Sequence, residues 1–89
     1  MANSKIITYD LCNANKNYED LYEYIKGFSS YEAITESTWI VSSDKDSKTI
    51  RDELSSILDP DDRYFVGKLT GQAAWHNVLC KNEDLKAIL

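Results

Sequence analysis

Helical and strand periodicities alternate along this chain in the order β-α-β-β-α-β, and few folds accept that order. The first β-rich run spans residues 5–11, with Ile7, Tyr9 and Leu11 on one face and Ile6 and Thr8 on the other. Apolar residues on both faces suit an interior strand. Residues 12–16 (CNANK) read as a turn. Tyr18, Leu21, Tyr22, Ile25 and Phe28 then recur at helical spacing. Asn17 is the expected N-cap, Asp20 its capping-box partner and Gly27 the stop. Residues 31–43 read as two short strands breaking near Glu36-Ser37. Ile34 between Glu32 and Glu36 marks an edge strand, and the Thr38–Val41 run marks a central one. Residues 42–46 (SSDKD) read as a loop ending in cap residues, and a second helix is expected over residues 47–58, burying Ile50, Leu54, Ile57 and Leu58 while Arg51, Asp52 and Glu53 face water. Asp59-Pro60-Asp61-Asp62 is a turn, and residues 63–69 form the fourth strand, with Gly67 at a bulge or a close backbone approach. Residues 70–75 are expected to loop under Trp75. Residues 82–89 form a short helix carrying Leu85, Ile88 and Leu89.

Two right-handed crossovers in a small antiparallel sheet give a ferredoxin-like α+β sandwich with both main helices on one face. The 89 residues hold one such domain, with a core over residues 5–69 and a tail over 70–89. The second sheet face is left bare, and a chain this small has little core to spare. Dimerisation or coverage by the tail is therefore expected. The longest apolar run is too short for a membrane span. Two cysteines, Cys12 and Cys80, read as free thiols in a reducing cytoplasm.

Charge narrows the function classes. Acids outnumber bases 15 to 10, a net charge of −5, and no basic stripe is present. Sequence-independent phosphate binding by a monomer lacks its usual driver. Cys12, Cys80 and His76 do not make a zinc site. The segment around Gly67-Lys68 lacks the residues of a phosphate-binding loop, and Gly27–Tyr31 lacks the last glycine of a nucleophile elbow. The third strand has Trp39 but no basic neighbour of the kind RNA-recognition modules use.

Asp10 is the main candidate. It stands at the carboxyl end of an apolar strand, where ligands and catalytic groups gather in α/β arrangements, and its carboxylate suits a hard cation. The bland alternative has it capping the turn into the first helix or bonding backbone within residues 12–14. Asp59, Asp61 and Asp62 read as a solvated turn. Trp39 reads as core. Trp75 and Tyr64 are the candidate interface aromatics, and His76 reads as solvated or packed. Ser37 reads as a turn residue, with phosphate donation as the alternative.

Tyr9-Asp10-Leu11 resembles the strand-end tyrosine–aspartate signature of the small CRISPR-associated Cas-two family. Glu36-Ser37-Thr38-Trp39 is similar to its Ser-x-aromatic segment, and Asp62–Val66 to its acidic opening of the fourth strand. The Glu-Ser-Thr-Trp run and Leu69–Trp75 (LTGQAAW) look closer still to the SinR-like members. The resemblance covers residues 5–75. It implies a ferredoxin-like homodimer in which the two Asp10 carboxylates face each other and hold Mg²⁺, with Ser37 as helper. Family members include metal-dependent nucleases and non-catalytic scaffolds.

Three functions follow as expectations. The first is a non-catalytic homodimeric interaction module, with a protein partner, serving nucleic-acid or CRISPR-related transactions. The second is a divalent-metal nuclease using paired Asp10, with catalytic help from Ser37. The third is an acidic inhibitor of a nucleic-acid-binding protein. Direct nucleic-acid contact sits poorly with the net charge of −5, and no cofactor other than Mg²⁺ is expected.

Overall fold

The computed structural model describes residues 3–12, 18–70 and 72–89. Its elements run β1 (Ser4–Asp10), α1 (Glu19–Lys26), β2 (Ser30–Thr35), β3 (Thr38–Ser42), α2 (Ser47–Ser55), β4 (Arg63–Lys68) and α3 (Asn82–Ile88). The four strands form one antiparallel sheet in the order β2-β3-β1-β4. The result is the expected ferredoxin-like α+β arrangement, with β1 and β3 interior and β2 and β4 at the edges.

Alternation along β1 assigns its two faces. Ile7 and Tyr9 join Val41 of β3 and meet Leu21 and Ile25 of α1 and Ile50, Leu54 and Leu58 from the α2 region. This is the main core. The cap of α2 is as expected: the Asp46 carboxylate accepts from the Thr49 N–H at 2.8 Å. Regular helix stops at Ser55 rather than Leu58, and the chain continues in turns that still bury Leu58. Glu53 departs from expectation. It accepts from the Tyr24 hydroxyl at 2.6 Å and from the Lys45 ammonium at 2.8 Å, so it bridges α1 and the loop before α2 rather than pointing freely into water. Lys45 first, and Tyr24 second, hold its carboxyl below the ordinary glutamate range. Asn17 lies outside the described residues; Tyr18 occupies the N-cap of α1, without a side-chain cap. Gly27 does end α1, in right-handed backbone (φ −79°).

The tail covers part of the other face. Leu85 and Ile88 of α3 pack on Ile40, with Ile34, Leu69, Trp75, Val78, Cys80 and Leu89 around them. The Leu79 N–H donates to the Ile34 carbonyl at 3.1 Å, where the β2–β3 register steps between Ala33 and Thr35. The Ser4 hydroxyl donates to the Ile88 carbonyl at 2.5 Å. The tail turns at Asn77, whose φ of 59° is left-handed backbone that asparagine tolerates. Of the two expectations for the bare face, tail coverage is what occurs around Ile40.

One electrostatic flaw sits at this seam. Burial first, and the nearby Asp84 carboxylate second, push the Glu32 carboxyl above its ordinary range. The folded chain thus holds the Glu32 proton more tightly than the unfolded chain does. Stability contributed by this group is complete below the ordinary glutamate range and declines as pH rises through the raised value. Glu32→Gln, which mimics the protonated form, is expected to raise Tm by a few degrees at neutral pH and to leave it unchanged near about pH 3.5. Equal Tm gains at both pH values, measured by thermal melts, would contradict this penalty on the Glu32 charge.

Candidate functional site

The half of the tail-side face that α3 leaves open contains Asp10, the strongest sequence candidate. Residues with their side chains on this half are Thr8 and Asp10 of β1, Thr38 of β3, and Arg63 and Phe65 of β4, by the alternation of the strand register. Asp10 and Arg63 are cross-strand partners, and the guanidinium Nη1 donates to the Asp10 Oδ2 at 3.2 Å. Their side chains are 72% and 77% exposed, so the pair contributes about 0–1 kcal/mol to stability. Among the described residues Asp10 is thus held by the strand beside it; residues 13–17, where the expected cap and turn-backbone bonds would fall, lie outside the described residues. The Thr8 and Thr38 hydroxyls share a hydrogen bond of 3.0 Å beside it.

Phe65 is 62% exposed. A large aromatic this open is unusual in the middle of a strand. A Cβ added at Gly67 would stand 3.1 Å from its ring, so the ring leans over the glycine two residues on. Gly67 is therefore the site of a close approach, as one of its two readings had it. The β1–β4 register runs through it without a step. Thr8, Tyr9, Asp10, Arg63, Tyr64 and Phe65 line a shallow hollow of about 270 Å³.

Ser37 is the second residue of the two-residue turn between β2 and β3. Its carbonyl accepts from the Tyr9 N–H at 3.0 Å, and its own N–H donates to the Thr35 hydroxyl at 3.4 Å. The fold thus brings Ser37 and Asp10 to the same end of the sheet, Ser37 beside β1 on the β3 side and Arg63 on the β4 side. The turn between β2 and β3 fell where the pattern expected it.

The aromatic candidates sit elsewhere. Tyr64 lies on the helix side, half-buried against the main core, and its hydroxyl shares a 2.5 Å hydrogen bond with Ser55. Trp75 is half-buried in the tail cluster, and its indole N–H donates to the Asn82 side chain at 3.1 Å, at the start of α3. Trp39 packs on the main core and donates to the Tyr9 hydroxyl at 3.0 Å. Burial is the main cause that raises the Tyr9 phenol above its ordinary pKa. His76 is exposed, and Cys12 and Cys80 are free thiols. Burial first, and the Glu32 charge second, push the Cys80 thiol up.

Asp62 corrects the reading of its turn. It is 6% exposed and not solvated. Its Oδ1 accepts from the Cys12 N–H at 2.9 Å and from the Tyr18 hydroxyl at 3.1 Å, and its Oδ2 accepts from the Asp59 N–H at 3.0 Å. A single carboxylate thereby ties the end of β1 and the start of α1 to the approach of β4. The available signal was its place directly before an apolar strand, where one of three aspartates turns inward.

No three of the His, Cys, Asp and Glu residues gather as a metal-ligand set among the described residues. No helix among them is long and apolar enough to cross a membrane. A scan against protein-family models, a search of curated proteins and a search of solved structures each returned no match.

Proposed function

We propose that this chain is a homodimeric, non-catalytic interaction module of the Cas-two-like kind, and that the open half of its tail-side sheet face is the dimer contact. The observation that carries this reading is Phe65, 62% exposed beside the Asp10–Arg63 pair on a face whose other half is already covered. Exposed apolar surface rimmed by polar groups is the usual mark of a contact site. The patch is also self-complementary. A two-fold axis through it would set Asp10 of one subunit against Arg63 of the partner subunit, as isologous contacts require.

The non-catalytic half of the reading rests on the surroundings of Asp10. The Arg63 guanidinium at 3.2 Å already neutralises it and would repel a divalent ion. Each chain would supply one carboxylate where Mg²⁺ prefers six oxygens, most of them from water or phosphate. The nuclease reading keeps one point in its favour: Asp10 is exposed and shares the sheet end with Ser37. In that reading, Asp10 from both subunits would hold Mg²⁺, which supplies an activated water and polarises the phosphodiester.

Sedimentation and a cleavage assay test the proposal together. The expected result is a dimer at high micromolar concentration, a shift to monomer in Phe65→Ser, and no cleavage of DNA or RNA in Mg²⁺ or Mn²⁺. Asp10→Ala should change stability by less than about 1 kcal/mol. Metal-dependent cleavage that disappears in Asp10→Ala would establish the nuclease instead. A wild-type monomer would remove the dimer. Strongly salt-dependent binding to a basic nucleic-acid-binding protein would favour the inhibitor reading.

A further inference from the structure

The two edges of the sheet are finished differently. At the β2 edge the register steps between Ala33 and Thr35, and the tail's Leu79 N–H takes the Ile34 carbonyl. Irregularities and coverage of this kind stop an edge from recruiting another strand. The β4 edge has neither. All six of its residues pair with β1 in unbroken register. The Leu69 N–H donates to the Ser4 carbonyl, and this fixes the alternation: Arg63, Phe65 and Gly67 turn their backbone groups toward β1, and Tyr64, Val66 and Lys68 turn theirs outward. Among the described residues, no other backbone segment bonds those outward groups.

A groove of about 350 Å³ runs along this edge between β4 and α2, lined by Ser47, Lys48, Arg51, Tyr64, Phe65 and Val66. Its charges are cationic. Asp52 pairs with Lys48 at 3.4 Å and with Arg51 at 2.8 Å, one carboxylate against two cations, and Lys68 adds a third cation at the end of the strand. A chain of net charge −5 thus presents a locally positive strand edge.

We propose that the β4 edge accepts an extended acidic segment of a partner protein as a fifth strand, with backbone pairing to Tyr64, Val66 and Lys68 and its acidic side chains against Lys48 and Arg51. Strand addition draws affinity from main-chain hydrogen bonds and specificity from alternate side chains. A second copy is the poorer occupant, because antiparallel β4–β4 pairing would bring Lys48 and Arg51 of both chains together along the shared edge. The inference rests on the interaction-module reading but not on the dimer, which uses the sheet face; sedimentation reports on one and peptide binding on the other.

The test titrates the ¹⁵N-labelled full chain with an eight-residue peptide that alternates glutamate with valine. The controls are its lysine counterpart and a version N-methylated on alternate amides. Binding of the acidic peptide should slow hydrogen exchange at the Tyr64, Val66 and Lys68 amides. Affinity should fall about tenfold or more for the lysine peptide, for the methylated peptide, and in a Lys48→Glu/Arg51→Glu double variant. Those two sites are exposed, and an unchanged Tm certifies the fold of the variant. The proposal is overturned if the acidic peptide does not bind, if acidic and basic peptides bind equally, or if protection appears at β2. Concentration-dependent protection of β4 without peptide would assign the edge to a second copy and overturn it too.

Discussion

Leu85→Ala is expected to lower the unfolding free energy by about 2–5 kcal/mol, the range for a fully buried leucine whose cavity cannot collapse. Leu85 is 1% exposed and is the most deeply buried residue of the tail cluster. The helix that carries it has only seven residues, too few to hold helical structure alone in water. Its order therefore depends on packing, and Leu85 is its most deeply buried side chain. Loss of the contact should release α3 and uncover Ile34 and Ile40 on the sheet. Two readouts follow: a lower urea midpoint, and fast hydrogen exchange at the Leu85, Lys86 and Ile88 amides while the β1 amides stay protected. Leu79 is the control. It is 64% exposed, and Leu79→Ala should stay within about 0.5 kcal/mol of wild type because only its backbone is engaged. A loss below about 1 kcal/mol in Leu85→Ala would mean that the tail is an appendage and not part of the core.

The existence of α3 was legible because Leu85, Ile88 and Leu89 are spaced for one helical face. Its partner was not. Periodicity says which side of a helix is apolar, and it is silent on whether a second copy or the same chain covers a given sheet face. The bare face read from the sequence is therefore half right: the tail takes the part around Ile40 and leaves Phe65 exposed. The same limit applies to polar groups. Asp10 was placed correctly at the end of β1, yet its partner Arg63 lies 53 residues away and is selected by strand order, which no local pattern encodes. Helical position alone puts Glu53 on the wet side of α2. Tyr24, on a different helix, reaches across to it. Local signals (the Asp46 cap, the two-residue turn at Glu36-Ser37, the Gly27 stop) were legible because a few neighbouring residues determine them.

Asp62→Ala should cost about 2–4 kcal/mol, although a run of three aspartates near a proline would ordinarily tolerate such a change. Among the described residues its carboxylate accepts hydrogen bonds from three separate segments, and hydrogen bonds to a charged acceptor are worth more than neutral ones. Truncation leaves the Cys12 N–H, the Tyr18 hydroxyl and the Asp59 N–H to find water or go unsatisfied. Asp62→Asn is not a mild alternative, since an amide places a donor where one of the three donors already points. Tyr18→Phe removes the hydroxyl that donates to Asp62 and should cost about 1–2 kcal/mol, less than the alanine at position 62. Asp61→Ala is the matched control: Asp61 is exposed, among the described residues only its backbone carbonyl is engaged, by the Cys12 thiol at 2.9 Å, and its removal should stay within about 0.5 kcal/mol. Denaturant titrations of the four variants check the ranking, and an Asp62→Ala loss no larger than that of Asp61→Ala would refute it. The change should also reach the open sheet face. Arg63 follows Asp62 directly, and β1 ends two residues before Cys12, so the carboxylate fixes both strand ends that bring Arg63 to Asp10. Affinity of the proposed dimer should therefore fall in Asp62→Ala even under conditions where the protein remains folded, whereas Asp61→Ala should leave it unchanged.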